Sequence, residues 1–587
     1  MKYLGVLEEF DKNSELKFDE FDVSKELNKL IPSNKEDTPF ELKAEVMAFD
    51  FCEDYQTKPE GWGTYFGPMY VSRSKEGQVI ESPSITLVNK EMIEYWEKRV
   101  EMCENPILKA RYSGLVWDFT NLICKKKPDY NISKIYINSL IEISKQNKYS
   151  QEYQVYKKLE RALELSNQLN YQDLVIASKD AIMNYEKVIG VVNHVGLWGF
   201  AFDLLLFKKN IKLDEAEIQE IISELEVKLD FFQKQVISGN ASQIWAIESA
   251  VNRLSKYYHN NNDRENLKRV ITVLSEGFQL LIKDSTAIQT STYLEKLLSI
   301  FKQYKFPNDE KSILLKIREL GPSIAKELKP VAFEFTIPRE YVENYLNSMT
   351  AGSLPEVIER FMAISIPRKE DVEKQLFELS KSNPLQFIFG RVIQDEKGRI
   401  LAKIGSLETD LDNHIIHQTS QNLQHNAPFL HLLIEKIIEK FNFDKNSALE
   451  LIKRSAVIEV DRHDIIMKCL DAYYEKDYLS FIHLAIPQIE EAFRNLLEFS
   501  GGVVLRQNID GSFNLKTFNE ILKDPIVIDS LGYDFVNYFR IIFTEQRAWN
   551  LRNKVCHGIA KNNDFNYQSA DRVFHCLLCL GVIKDAV

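Results

Sequence analysis

The sequence predicts a mainly α, multidomain protein: a helical N-terminal module, an irregular helical-hairpin array, small β-hairpin insertions and a compact C-terminal helical bundle. Three observations carry that prediction. Apolar residues recur at three- and four-residue spacing through most of the chain, which is the period of a helix with one buried face. The alternating period of strands is confined to short stretches bounded by Gly and Pro. The composition, 44% hydrophobic and 27% charged over 587 residues, is that of a packed globular protein rather than a disordered one. A chain of this length holds several domains.

Residues 1–149 read as a mostly helical module, with amphipathic helices over Phe40 to Tyr55, Lys90 to Cys103 and Ile107 to Cys124. The cations Lys125, Lys126 and Lys127 close the last of these, where they complement the helix dipole. Between the first two lies Gly61-Trp62-Gly63-Thr64-Tyr65-Phe66-Gly67-Pro68, a compact loop. Its aromatics Trp62 and Tyr65 could stack on a ligand, but a turn pinned by buried rings is the preferred reading. From 150 to 328 the pattern is helical. Ile244, Ile247, Val251 and Leu254 form one stripe, and helix starts fall near Asp214, Asn240, Asp263, Thr286 and Asn308. Paired, these make hairpins in the size range of solenoid repeats, although no repeat consensus is visible. The array therefore reads as a scaffold or docking face for a protein regulator, or as a plain elongated linker.

Residues 329–470 form an intermediate α+β region. It opens on an extended stretch, Val331 to Pro338, and Phe387 to Gly405 alternates around Glu396-Lys397-Gly398 as a β-hairpin does. His414, His417, His425 and His431 cluster within eighteen residues, yet no close Cys or Asp set completes a zinc spacing. They read as surface or helix-capping histidines, and no metal or cofactor is expected. The bundle, 471–587, starts with a long helix from about Asp477 to Glu498 that Pro487 kinks or starts anew. Gly501 to Phe513, with its Asp510-Gly511 turn, reads as a hairpin-like insertion. Tyr533 to Glu545 leads into a further helix, and Ser569 to Ile583 closes the chain with His575, Cys576 and Cys579 as core residues.

The formal charge of −12 argues against a generic nucleic-acid coating protein, so any RNA site must be local. From Leu479 to Val587 the charges nearly balance, 11 Lys and Arg against 12 Asp and Glu. Seven scattered cysteines, an odd number, fit reduced thiols. The first residues lack a signal-peptide core, and a cytoplasmic location is expected. Val188 to Phe207 is the most membrane-like stretch, but Asp203 within it favours a buried helix pair and no membrane contact.

The chemistry-bearing stretch is Asn550-Leu551-Arg552-Asn553-Lys554-Val555-Cys556-His557-Gly558. On a helix Asn553 and His557 lie one above the other, with Arg552 on the flank. Gly558 reads as the residue just past the helix end, which puts His557 in the last turn. An imidazole titrating near neutrality can take the proton of a ribose 2′-hydroxyl or give one to a departing 5′-oxygen. A guanidinium can pair with the non-bridging phosphate oxygens and stabilise the charge that builds there. Asn553 would orient the phosphate or the imidazole. In the plainer alternative, Arg552 meets a carboxylate, Asn553 bonds a carbonyl and His557 caps the helix.

Arg552-Asn553-x-x-x-His557 resembles the R-N-x-x-x-H signature of HEPN domains, small all-helical modules of which many are endoribonucleases. With Pro487-Gln488-Ile489-Glu490 and Arg494 upstream, it is similar to the branch that includes the eukaryotic endoplasmic-reticulum membrane-associated RNA degradation protein and uncharacterised bacterial proteins. The resemblance covers roughly residues 385 to 587. It implies a HEPN-like bundle acting as a homodimeric, metal-independent endoribonuclease, with two copies of the motif facing across a cleft. Arg552, Asn553 and His557 would be catalytic, and the products would carry 2′,3′-cyclic phosphate and 5′-hydroxyl ends. Glu490 and Arg494 stand between two readings, an ordinary ion pair at favourable helical spacing or supports of the cleft. The bacterial relatives imply a regulated toxin or anti-phage effector. A HEPN-like protein that binds RNA or a nucleotide without cutting, or a helical scaffold, remains the alternative.

Overall fold

The computed structural model describes residues 2–13, 15–55, 61–73, 79–192, 194, 196–208, 211–329, 336–395, 398–508 and 510–584. Within these the protein is mainly α, with three separate two-stranded antiparallel sheets. The chain divides into two compact units, Met1–Glu310 and Lys311–Val587, and the division falls inside the helix Pro307–Glu327.

In the first unit the helices start where side-chain caps stand. Asn89 caps Lys90–Met102 and Asn105 caps Pro106–Cys124. Asp214 and Thr286 each form a reciprocal capping box at Glu215–Ile237 and Ala287–Gln303. The stripe Ile244, Ile247, Val251 and Leu254 is fully buried on Ile244–Asn260. The first amphipathic helix is shorter than its period implied, ending at Asp50. Trp62 and Tyr65 are packed inward: the Trp62 indole donates to Glu81 at 2.9 Å, and the Arg161 guanidinium lies 4.1 Å over the Tyr65 ring. The loop is thus a turn pinned by aromatics. Tyr70–Arg73 pairs with Val79–Ser82, a small hairpin that the sequence reading passed over.

This unit also holds a largely buried cluster of charges. Lys158, 4% exposed, contacts Glu20 and Glu53, each at 2.6 Å, and Arg111 reaches Glu53 at 3.2 Å. Burial alone would push the Glu20 carboxyl up, but Lys158 and Arg111 hold it below its ordinary value. The expected helix pair at Val188 to Phe207 is not one. The helix Gln172–Ile189 ends, a loop follows, and only a π turn, Phe202–Leu206, is helical there. Gly196 and Gly199 sit at φ +98° and +90°, which breaks the helix, and the backbone N–H groups of Gly199 and Ala201 donate to Glu186 instead. Asn193 and Val195 lie outside the described residues. Asp203 pairs with Arg253 at 2.6 Å, and among the described residues no helix is long and apolar enough to cross a membrane.

In the second unit, Arg391–Gln394 and Ile400–Ile404 form the hairpin that the alternation indicated, although Glu396 and Lys397 at its tip lie outside the described residues. So do residues 331–335 of the extended stretch. Around one core pack the helices His463–Tyr474, Tyr478–Phe499, Tyr533–Phe543 and the closing helix Tyr567–Leu580. Pro487 lies within the continuous helix Tyr478–Phe499, and Tyr473 stacks on Phe574 at 4.1 Å. Leu505–Gln507 pairs with Phe513–Leu515 in the insertion. Ser569 to Leu580 is buried throughout, so His575, Cys576 and Cys579 are core residues.

Candidate functional site

The motif occupies a helix of six residues, Leu551–Cys556. Such a helix has little stability of its own, so its ends and its tertiary partners must hold it. Asn550 precedes it in the left-handed conformation at φ 54°. At the other end Gly558 adopts φ +64°, as its place in the sequence implies. Its N–H donates to Val555 at 3.1 Å and that of Ile559 to Lys554 at 2.8 Å, the paired bonds of a Schellman stop. His557 is the cap residue, and its backbone N–H bonds the Asn553 carbonyl at 3.1 Å.

The partner that positions Arg552 comes from 62 residues upstream. Glu490, on the helix Tyr478–Phe499, accepts Nε of Arg552 at 2.9 Å through one oxygen and Nη2 at 3.3 Å through the other. Its second oxygen also accepts from Arg494 at 3.3 Å. Arg494 bonds Glu491 as well, while its own Nε is buried without a partner. One carboxylate is therefore shared by two guanidinium groups, all three side chains being 13–21% exposed. This geometry fixes the guanidinium plane side-on.

Asn553 is oriented just as firmly. Its amide donates to the Asn550 side chain at 2.8 Å and to the Thr544 carbonyl at 3.5 Å, and its oxygen faces Nη1 of Arg552 at 3.3 Å. Arg552 and Asn553 are thus brought together, with Glu490 and Arg494 behind them. His557 is not joined to them: it is exposed, and its imidazole has no hydrogen-bond partner among the described residues. All three residues are placed as the plainer alternative has them, Arg552 on a carboxylate, Asn553 on a carbonyl and His557 at the helix cap, while the imidazole itself has no hydrogen-bond partner among the described residues. Cys556 lies within the fields of Arg552 and Glu490, and burial pushes its thiol up.

The clustered histidines do not converge, and His414 is not at the surface. His414 is buried and bonds the Gly405 carbonyl at 3.0 Å, because its helix packs on the hairpin's end. His431 bonds Asp571 at 2.8 Å, and Tyr473 donates to the other oxygen of Asp571 at 2.7 Å. Burial, followed by Arg391, pushes His417 below the usual histidine range. His425 is exposed. Among the described residues no three His, Cys, Asp or Glu side chains converge on a possible metal position.

Sequence reasoning passed over Asp571 and Arg572 on the closing helix, both buried. The available signal was a charged pair at the head of an apolar helical run. Compared with known proteins, the chain matches no family model, no curated protein and no solved structure.

Proposed function

We propose that the protein is a metal-independent endoribonuclease acting through Arg552, Asn553 and His557. The observation that carries this reading is an unpartnered, exposed imidazole one helical turn from an arginine–asparagine pair held in fixed orientation. Such an imidazole takes the 2′-hydroxyl proton; the 2′-oxygen attacks phosphorus; the P–O5′ bond breaks, and the 5′-oxygen leaves with a proton. The donors of Arg552 not held by Glu490 stabilise the non-bridging oxygens. Glu490 and Arg494 act as positioning residues.

A second proton-transfer group is needed across the scissile bond, and a second copy of the motif in a homodimer supplies it. Supporting such a dimer, Val503, Leu505, Phe513 and Leu515 on the insertion are 47–65% exposed in this single copy. A regulated toxin, active in the cytoplasm against phage-infected cells, is the biological role that the sequence resemblance favours.

A second reading rests on Glu490, which meets Arg552 with both oxygens as a structural ion pair would. The protein would then bind RNA or a nucleotide without cutting, or serve as a helical scaffold. Incubating an RNA pool with the full chain in EDTA decides between them. The ribonuclease reading expects 2′,3′-cyclic phosphate ends from wild type, and a loss of roughly 100- to 10,000-fold in His557→Ala. Wild type and His557→Ala proteins that are folded, dimeric and equally inert would sink it.

A further inference from the structure

The second unit contains a cavity of about 760 Å³ whose lining includes none of the motif residues. Arg572 of the closing helix lines it while being only 2% exposed. Its Nη2 donates to the Leu423 carbonyl at 3.1 Å, but Nε and Nη1, equally shielded from solvent, make no close hydrogen bond. The Tyr538 hydroxyl, bonded to His575 at 2.8 Å, also makes a loose hydrogen bond with this guanidinium. Among the described residues no carboxylate forms an ion pair with Arg572. Burying a full charge without a carboxylate partner is costly for a fold.

The rest of the lining has the same bias. Arg360 and Arg368 join Arg572 against a single carboxylate, Asp371. Arg360 commits one Nη to the carbonyls of Ser348, Met349 and Ala351 at 2.9–3.1 Å, which fixes the group and leaves its other nitrogens available. Another part of the lining is aromatic, with Tyr345 edge-on to Phe429 at 5.6 Å between centroids. Amides line it too: Asn422 and Gln375, paired with each other at 2.7 Å, and Asn426.

These features constrain the occupant. An inorganic anion would answer the three guanidinium groups but leave the aromatic part of the lining in water. An uncharged ring would cover the aromatics and leave the guanidinium unmet. A planar heterocycle carrying a phosphate answers both, and its ring edge suits the amides. The volume lies within the ordinary range for small-molecule sites. We infer that this cavity binds a nucleoside 5′-monophosphate, with the phosphate beside the guanidinium groups of Arg360, Arg368 and Arg572 and the base beside Tyr345 and Phe429. The site is independent of what the Arg552 motif does.

Calorimetric titration of the full chain with AMP, GMP, CMP and UMP tests this directly. At least one should bind, more tightly than its parent nucleoside and than inorganic phosphate. Arg572→Met should weaken that binding by roughly 10- to 100-fold. Because Arg572 is buried, Arg368→Glu, an exposed change at the same cavity, provides the second variant and should cost roughly tenfold. Circular dichroism would establish that both variants are folded. Failure of all four monophosphates to bind folded wild type overturns the inference. So does a nucleoside, or phosphate alone, that binds as tightly as the nucleotide, or affinity unchanged in both variants.

Discussion

Two buried cations show what separates a charge that builds a fold from one that serves a ligand. Lys158, in the first unit, is enclosed by Glu20 and Glu53 at 2.6 Å. Arg572, in the second, is just as buried and has one carbonyl and no carboxylate. The first arrangement is complete within the chain, so its charges depend on one another. The second is incomplete within the chain, which is the signature of a site.

The comparison is sharpest where one partner is removed. Lys158→Ala leaves Glu20 in the interior without its direct cation, while Glu53 keeps Arg111, and should destabilise the first unit by about 3 kcal/mol, read as the midpoint shift of its denaturant transition. A smaller loss, below about 1 kcal/mol, would mean that water reaches the cluster. A second prediction concerns His575, held neutral beside Arg572. Burial, followed by the Arg572 charge, pushes its imidazole down to about 3. The unfolded chain binds this proton near its ordinary value of about 6.5 and the folded chain does not. Stability from this group is therefore full above about pH 6.5 and falls as the pH drops towards 3. Between pH 7 and 5 wild type should lose roughly 2 kcal/mol more than His575→Gln, as urea titrations of the second unit at both pH values would show. Equal losses would place a proton on His575 in the folded state.

Intermediate in size is Glu490→Gln, which leaves Arg494 and Arg552 without their shared charge. It should cost about 1–2 kcal/mol of stability in the second unit, and in the proposed ribonuclease it should reduce kcat about tenfold with KM little changed. An unchanged kcat would show that Arg552 needs no such support. The smallest effect is expected for Arg572→Met. Removing a buried charge that has no carboxylate relieves its burial cost but forfeits the bond to the Leu423 carbonyl, so the unfolding free energy should rise by no more than about 1 kcal/mol. A loss like that of Lys158→Ala would erase the contrast and mark Arg572 as structural.

What the sequence reveals is local. Asp214 and Thr286 announce their helices because a cap acts over three residues, and the Ile244 to Leu254 stripe announces its buried face through period alone. Gly558 announces its left-handed turn because few other residues take that conformation cheaply. The Glu490–Arg552 pair bridges 62 residues, and the spacing of Glu490 and Arg494 left their role open between two readings. The cavity around Arg572 was illegible: its lining comes from four stretches between residues 341 and 572, and no period connects them. At Val188 to Phe207 apolar content suggested helices, but glycines and the backbone bonds to Glu186 settled on a loop.

The motif helix is clamped between two left-handed residues, Asn550 and Gly558. Its six residues are thus less a helix than a rivet whose two heads are backbone conformations. A graft of Arg552 to His557 onto another helical scaffold would carry the letters and lose the alignment. Drift in the lineage should accordingly be tolerated at outward positions such as Lys554 and Cys556. A β-branched residue at either head would unseat the whole constellation without touching a polar group.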